Sequence, residues 1–343
     1  MMSPQEAIEL LRDPDFIGIG MAADTVRRRL HPEGIVSYII DRNINYTNFC
    51  TEYCSFCAFY RPMGHAEGYI LPKETIFEKI QETLDLGGTG ILMQGGLHPD
   101  LKIEWYEDLL RSIKQRFRIH LHCFSAPEIT NIADVSGLSL HDTIARLRDS
   151  GLDSIPGGGA EILDDAVRHR ISRLKCSTEE WVAVHRTAHA LGMRTTATMM
   201  FGCGETLEQR VNHLELVRQI QEDTEGFTAF IPWTFQRENT SLGRFIKEEA
   251  TAVEYLKTLA ISRLYLENIL NVQSSWVTQG LKTCQLGLRF GGNDVGSIMI
   301  EENVVSAAGA HHRASEEELR RIIRDAGFVP KQRDTLYRTY FLN

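Results

Sequence analysis

A (β/α)8 barrel of the TIM type is the fold this sequence predicts. Two observations carry the prediction. From residue 35 onward, short runs rich in β-branched and apolar residues alternate with longer amphipathic stretches. The polar, glycine-rich and cysteine-rich clusters fall just after the short runs, at 48–57, 94–96, 125–128, 157–161, 202–205, 233–239 and 291–294. In a parallel barrel these positions converge on the C-terminal face, where the βα loops build active sites.

Taken in order, residues 1–34 read as two N-terminal helices, with Pro4 and Pro14 near their starts and Ser3 and Asp13 as N-cap candidates. Strands are expected at 35–45, 90–94, 119–124, 154–156, 194–201, 226–232, 271–275 and 287–290. Apolar spacing predicts helices between them over 73–86, 103–117, 140–150, 178–191, 205–222, 250–270 and 276–285. The expectation is one domain over 1–343, with its barrel core at 35–295 and a short C-terminal extension at 296–343.

Of the 343 residues, 43% are hydrophobic and 24% charged, enough apolar material for a substantial core. A net charge of −9 argues against a nucleic-acid partner bound through its phosphates. The run Arg27, Arg28, Arg29 reads as a solvated helix face. No stretch reaches the ~18 apolar residues of a membrane span, and residues 1–11 carry Glu6 and Glu9 rather than a signal peptide. The expected setting is cytoplasmic, with no membrane partner. Seven cysteines, three of them close together, point in a reducing compartment to a metal or cluster site rather than a disulfide framework.

Those three lie in Cys50-Thr51-Glu52-Tyr53-Cys54-Ser55-Phe56-Cys57, spaced C-x3-C-x2-C. Thiolates are the usual ligands of iron–sulfur clusters. Three on one tight loop hold three corners of a four-iron cluster and leave one iron open to a small molecule. Zinc is the alternative, but a tetrahedral site wants four ligands, commonly in pairs. No second C-x2-C exists, and His65 would have to supply the fourth ligand. Cys123, Cys176, Cys203 and Cys284 are scattered singly and read as small buried hydrophobes.

The cysteine spacing, with Phe56 just before the third cysteine, resembles the signature of the radical S-adenosylmethionine (radical SAM) superfamily. That resemblance implies a [4Fe–4S] cluster on Cys50, Cys54 and Cys57, whose open iron binds the methionyl group of S-adenosylmethionine. An external one-electron donor reduces the cluster, the sulfonium bond breaks, and a 5′-deoxyadenosyl radical abstracts hydrogen from a small-molecule substrate. The resemblance also implies a cofactor pocket. Gln94, Gly95 and Gly96 would meet the methionyl amine, and Glu161 the ribose, with Ser125 adding a hydroxyl. Met200, Phe201 and Gly202 would cradle adenine, with Phe56, Phe59 and Tyr60 nearby. Arg168, Arg173 and Lys175 are candidates for the cofactor carboxylate.

Further segments narrow the resemblance. They include residues 45–48, 57–61, 92–97, 122–128, 158–163, 233–236, 275–280, 290–294 and 301–305. They are similar to the branch acting on futalosine-type and deazaflavin-precursor substrates, and most of all to the cyclic dehypoxanthinyl futalosine synthase family of menaquinone biosynthesis. Gln94-Gly95-Gly96 and Trp233-Thr234-Phe235-Gln236 favour that family over its sisters, aminofutalosine synthase and the deazaflavin-precursor synthase subunit. The implied reaction takes hydrogen from C4′ of the substrate ribose and closes that carbon onto the attached benzoate ring. A base must then take a proton. His122, Glu128, Glu238 and Asp294 are the candidates on expected mouth loops, and Arg237 and Arg289 are the candidates for the substrate carboxylate.

Overall fold

The computed structural model describes residues 2–338 and 340–341. Its strands are β1 Ile35–Ile39, β2 Asp41–Ile44, β3 Gly90–Met93, β4 His120–Cys123, β5 Ser154–Ile155, β6 Arg194–Phe201, β7 Phe227–Thr234, β8 Asn271–Val272, β9 Asp294–Ser297, β10 Val329–Arg333 and β11 Tyr340–Phe341. Its helices are α1 Pro4–Arg12, α2 Phe16–Leu30, α3 Lys73–Asp85, α4 Ile103–Arg116, α5 Ala126–Ser136, α6 Leu140–Asp149, α7 Asp165–Ile171, α8 Thr178–Ala190, α9 Leu207–Thr224, α10 Ala252–Tyr265, α11 Gly280–Gly287, α12 Val304–Ala307 and α13 Glu316–Asp325.

Strands β2 to β8 lie side by side in sequence order as one parallel sheet, and helices α3 to α10 supply the crossovers that parallel neighbours require. A second sheet runs β11-β10-β1-β9. Only Ile40 separates β1 from β2, so one bent strand serves both sheets. At the other edge, a parallel bridge joins Gln273, just past β8, to Asp294 of β9. Strand β9 pairs with β1 through Ser37–Asp294 and Ile39–Ser297. The ring therefore closes, and the (β/α)8 barrel expected from the sequence is the architecture observed.

Several elements differ from expectation, each for a physical reason. The eighth strand is 294–297 rather than 287–290. Residues 287–290 finish α11 in a tight turn, with Arg289 N donating to Leu286 O at 2.8 Å and Phe290 N to Gly287 O at 3.0 Å. Asp-Val-Gly-Ser is a weak strand former by propensity, but tertiary partners impose the extended form. Asp294 is fully buried, and its carboxylate accepts from Arg333 Nε at 2.6 Å, Arg333 Nη2 at 2.9 Å and the Ser37 hydroxyl at 2.6 Å. Strand β10, from the segment expected to be an extension, pairs in parallel with β1 from Ile35–Val329 to Tyr38–Gln332. The cap of α2 is Asp15 rather than Asp13, whose Oδ1 instead accepts from Asp15 N at 2.7 Å. Arg27 is not a solvated cation. It is buried against Asp24 at 2.8 Å, with its guanidinium 4.4 Å from the centre of the Phe328 ring.

Side chains alternate across the barrel wall. Ile91, Leu121, Ile155, Ala197, Met199 and Phe230 belong to the continuous apolar core shared with the helices. The inward positions include Asp41, Asn43, Leu92, His122, Thr196, Thr198, Ile231 and Gln273, around a cavity. Barrels of this type usually fill that volume with branched apolar layers. Here an open cavity remains, where Asp41, Asn43, His122 and Gln273 stand among apolar residues such as Leu92, Ile231 and Trp233, and Arg333, Thr335 and Tyr337 from the C-terminal segment complete its wall. Among the described residues, no helix is long and apolar enough to cross a membrane.

Replacing Asp294 by Asn strands the Arg333 guanidinium in a buried site. The expected cost is about 3–5 kcal/mol of unfolding free energy, read as a lower denaturant midpoint together with faster proteolysis around residues 329–338. An unchanged midpoint contradicts this assignment.

Candidate active site

The cysteine loop leaves the barrel just after β2 and is held by neighbouring loops. Cys50 N donates to Arg61 O at 3.1 Å, Thr51 N to Leu97 O at 3.1 Å, Ser55 N to Ile171 O at 2.8 Å and Leu242 N to Ser55 O at 2.8 Å. Tyr53 adopts φ 47°, the left-handed region that bulky residues avoid, so the tight path is imposed by its surroundings. Cys50 and Cys54 are buried and Cys57 is half-buried. Burial pushes the Cys50 and Cys54 thiols up, and the nearby Lys175 ammonium works against it at Cys54.

Gly96 has a packing reason of its own. A Cβ there would stand 2.1 Å from the Phe49 carbonyl oxygen and 2.8 Å from Cys50 Cβ. At Gly95 it would meet the Tyr46 ring at 2.6 Å. The glycine pair lets the loop after β3 lie directly against the cysteine loop.

The donor chemistry fits a cluster, because thiolates sharing four irons each bind a different metal atom and stand apart. Among the described residues, no three His, Cys, Asp or Glu side chains converge as ligands of a single ion. His65 is engaged in its own turn, its Nδ1 accepting from Glu67 N at 3.1 Å. The remaining cysteines, Cys123, Cys176, Cys203 and Cys284, are all buried and free.

Glu161 is a second point of fit. It sits at φ 37° and lines the cavity. Its Oε1 accepts from Lys175 Nζ at 3.0 Å, while its Oε2 is buried without a hydrogen-bond partner. The Arg168 guanidinium stands 3.9 Å from this oxygen, beyond hydrogen-bond reach, so the acceptor is open to a donor from the cavity. Burial alone would lower the Lys175 ammonium, yet the Glu161 carboxylate holds it above its ordinary value. Lys175 also lies 5.2 Å from the centre of the Phe56 ring. Arg168 is committed to the glycine loop, donating to Gly159 O at 3.0 Å and Ala160 O at 2.8 Å. Arg173 is exposed.

Other expected residues divide between the cavity and its frame. Gln94 lines the cavity beside Gly158. Met200 shares the inward face of β6 with Thr196 and Thr198 by alternation, whereas Phe201 points outward. Phe201 stacks at 6.3 Å on Tyr255, with the Arg210 guanidinium 4.4 Å from its ring centre. Gly202, at φ 80°, turns the chain so that its N–H and that of Cys203 donate to the Glu205 carboxylate at 2.8 and 2.9 Å. Tyr60 lies edge-on to Tyr53 at 5.7 Å and lines an outer groove with Cys57, Arg237 and Glu238. The carbonyl of Phe59 accepts from Arg61 Nη1 at 3.3 Å.

Of the four base candidates, only His122 faces the barrel cavity, and it does so from within β4 rather than from a mouth loop. Burial holds its ring neutral, lowering its pKa to about 3. Glu128 is fully occupied, accepting from Tyr46 OH at 2.8 Å, Gly95 N at 2.9 Å, Ser125 N at 2.8 Å and Ser125 Oγ at 2.6 Å. It is a framework residue, and it claims the Ser125 hydroxyl as well. Asp294 is committed to Arg333. Glu238 lies outside the cavity in the outer groove. Arg237 donates to Lys247 O at 2.6 Å, and Arg289 lies outside the barrel, donating to Ala326 O at 2.6 Å beside the Phe328 ring.

Asp41, Asn43, Thr198, Gln273 and Arg333 are cavity residues that the sequence reading missed. Asp41, Asn43 and Asn45, two residues apart within an expected strand, were the available signal, which Arg42 obscures. Burial raises the Asp41 carboxyl to about 6.

Residues 44–217 match the radical SAM superfamily, and residues 224–342 match the CofH/MqnC C-terminal region. The chain is 51% identical to the cyclic dehypoxanthine futalosine synthase of Halalkalibacterium halodurans, over 98% of this chain and 90% of that protein. It is 46% identical to the protein of the same name from Streptomyces coelicolor, over 98% and 85%. The 5-amino-6-(D-ribitylamino)uracil--L-tyrosine 4-hydroxyphenyl transferase of Methanothermobacter thermautotrophicus is 42% identical over 98% and 94%. Among solved structures, methylornithine synthase superposes with a TM-score of 0.73 at 18% identity, covering 96% of this chain and 94% of its own, which shows the shared fold. With the cysteine loop at the mouth of such a barrel, the chain belongs to the radical SAM superfamily, enzymes that work with a [4Fe–4S] cluster and S-adenosylmethionine.

Proposed function

We propose that this radical SAM enzyme cyclises dehypoxanthinyl futalosine to cyclic dehypoxanthinyl futalosine in menaquinone biosynthesis. The observation that carries the reading is the barrel cavity whose mainly apolar wall brings together the polar groups of Gln94, Glu161 and His122. The two relatives bearing the synthase name, at 51% and 46% identity, support the choice of substrate. When bound, the cluster and S-adenosylmethionine supply hydrogen abstraction from C4′ of the substrate ribose.

The chain's own residues do the rest. Cys50, Cys54 and Cys57 hold the iron. The backbone at Gly95 and Gly96 lets the methionyl group approach, and Glu161 Oε2 accepts from a ribose hydroxyl. Lys175 is the cation available to the cofactor carboxylate. His122 takes the proton lost when the benzoate ring regains aromaticity, and burial keeps its imidazole in the neutral form a base needs. Transfer of a 4-hydroxyphenyl group is the second reading, favoured by the 42% identical transferase.

Product mass separates the two. Anaerobically reconstituted enzyme should release 5′-deoxyadenosine and a product two hydrogens lighter than dehypoxanthinyl futalosine. A hydroxyphenyl adduct formed from tyrosine would reject the cyclisation. Replacing Cys50, Cys54 or Cys57 singly by Ala should abolish both the cluster absorbance and cofactor cleavage. Gly96→Ala should distort the cysteine loop at a cost of about 1–3 kcal/mol and lower the iron bound per chain. Wild-type iron content in that variant would contradict the packing role of Gly96.

A further inference from the structure

Ser154 joins two histidines in the barrel interior. Its hydroxyl lies 2.6 Å from Nδ1 of His122 and 2.7 Å from Nε2 of His120, both short for hydrogen bonds to nitrogen. Strand register sets His122 opposite Ser154, and two-residue alternation puts His120 on the same face of β4. His122 lines the cavity, and its Nε2 has no protein partner among the described residues.

His120 stands at the start of β4, toward the N-terminal end of the barrel. Charged groups of Asp153, Lys114, Asp334 and Arg338 surround it. Asp153 and Arg338 line an open cleft on that end. The three side chains thus reach from the cavity toward the face opposite the cysteine loop.

We propose that His122, Ser154 and His120 form a proton conduit carrying the proton lost from the substrate ring to the N-terminal face of the barrel. The inference rests on the cyclisation reading above. The ring C–H bond breaks as a bond forms from hydrogen to His122 Nε2, and its electron pair stays in the ring. The unpaired electron leaves to a one-electron acceptor, such as the oxidised iron–sulfur cluster. The Nδ1 proton of His122 passes to Ser154, the Ser154 hydroxyl proton passes to Nε2 of His120, and His120 releases its Nδ1 proton to water in the cleft. The proton has reason to move on, because burial, His120 and Arg333 all disfavour a charged His122. Only His122 touches substrate; Ser154 and His120 act through it as positioning residues.

Two measurements test the conduit. In reconstituted holoenzyme with dehypoxanthinyl futalosine, Ser154→Ala and His120→Gln should still release 5′-deoxyadenosine. The cyclised product per 5′-deoxyadenosine should fall on the order of 10-fold or more. An unchanged ratio in either variant overturns the conduit, and His120→Gln decides if Ser154→Ala does not fold. Absence of cyclised product from the wild type instead overturns the cyclisation reading.

The second measurement needs neither cofactor nor substrate. 15N-histidine NMR of the full chain should find the proton on Nδ1 in both His120 and His122. Reversed tautomers at either ring overturn the conduit whatever reaction the enzyme performs.

Discussion

The carboxylate of Glu128 lies where three strand ends meet. Tyr46 follows β2, Gly95 follows β3 and Ser125 follows β4, and all three donate to it. Burial raises its pKa, and the bonds from Ser125, Gly95 and Tyr46 pull it back. A buried anion with this many donors directs each loop as it leaves the barrel. Gly95 held in this way carries Gly96 against Phe49 and Cys50, so the position of the cysteine loop is inherited from a residue that never touches the cluster. Specificity for one loop arrangement is what such a network supplies, and losing the Glu128 carboxylate leaves the Tyr46, Gly95 and Ser125 donors unpaired.

At the opposite end, Asp294 and Arg333 tie β9 to β10 across β1. Between these two anchors the barrel interior keeps a cavity in which a few polar side chains stand among apolar ones. The hydrophobic stabilisation lies outside the ring, where alternate strand residues meet the helices. That division lets polar side chains occupy the centre without dissolving the fold.

Much of this was legible in the sequence and some was not, for identifiable reasons. Alternation of apolar runs and amphipathic stretches located most of the strands, because parallel strands covered by helices are dense in branched residues. Strand β9 escaped because Asp, Gly and Ser form it only under tertiary pairing. The cysteine loop was visible from its spacing, and the resemblance directed attention to Gly95 and Gly96, which pack at that loop, and to Glu161, which lines the cavity. Glu128 was misread as a base although Ser125-Ala126-Pro127-Glu128 is a capping-box pattern, and at the start of α5 both the N–H and the hydroxyl of Ser125 donate to the Glu128 carboxylate. Arg289 was misread because a cation near a predicted mouth carries no sign of which way it points. His122 was recognised as a candidate, but its partners Ser154 and His120 come together only through strand register.

The parallel pairing of β1 with β10 also bears on how the enzyme is made. These strands stand at opposite ends of the barrel sequence, so their contact is among the most distant along the chain. Pairings of this kind pay their loop-closure entropy before any reward and form late. During synthesis, the cysteine loop and glycine loops emerge long before Arg333 arrives to finish the cavity wall. The barrel cannot enclose its chemistry piecemeal on the ribosome. The wall that Arg333 completes is therefore closed only when the chain is nearly finished.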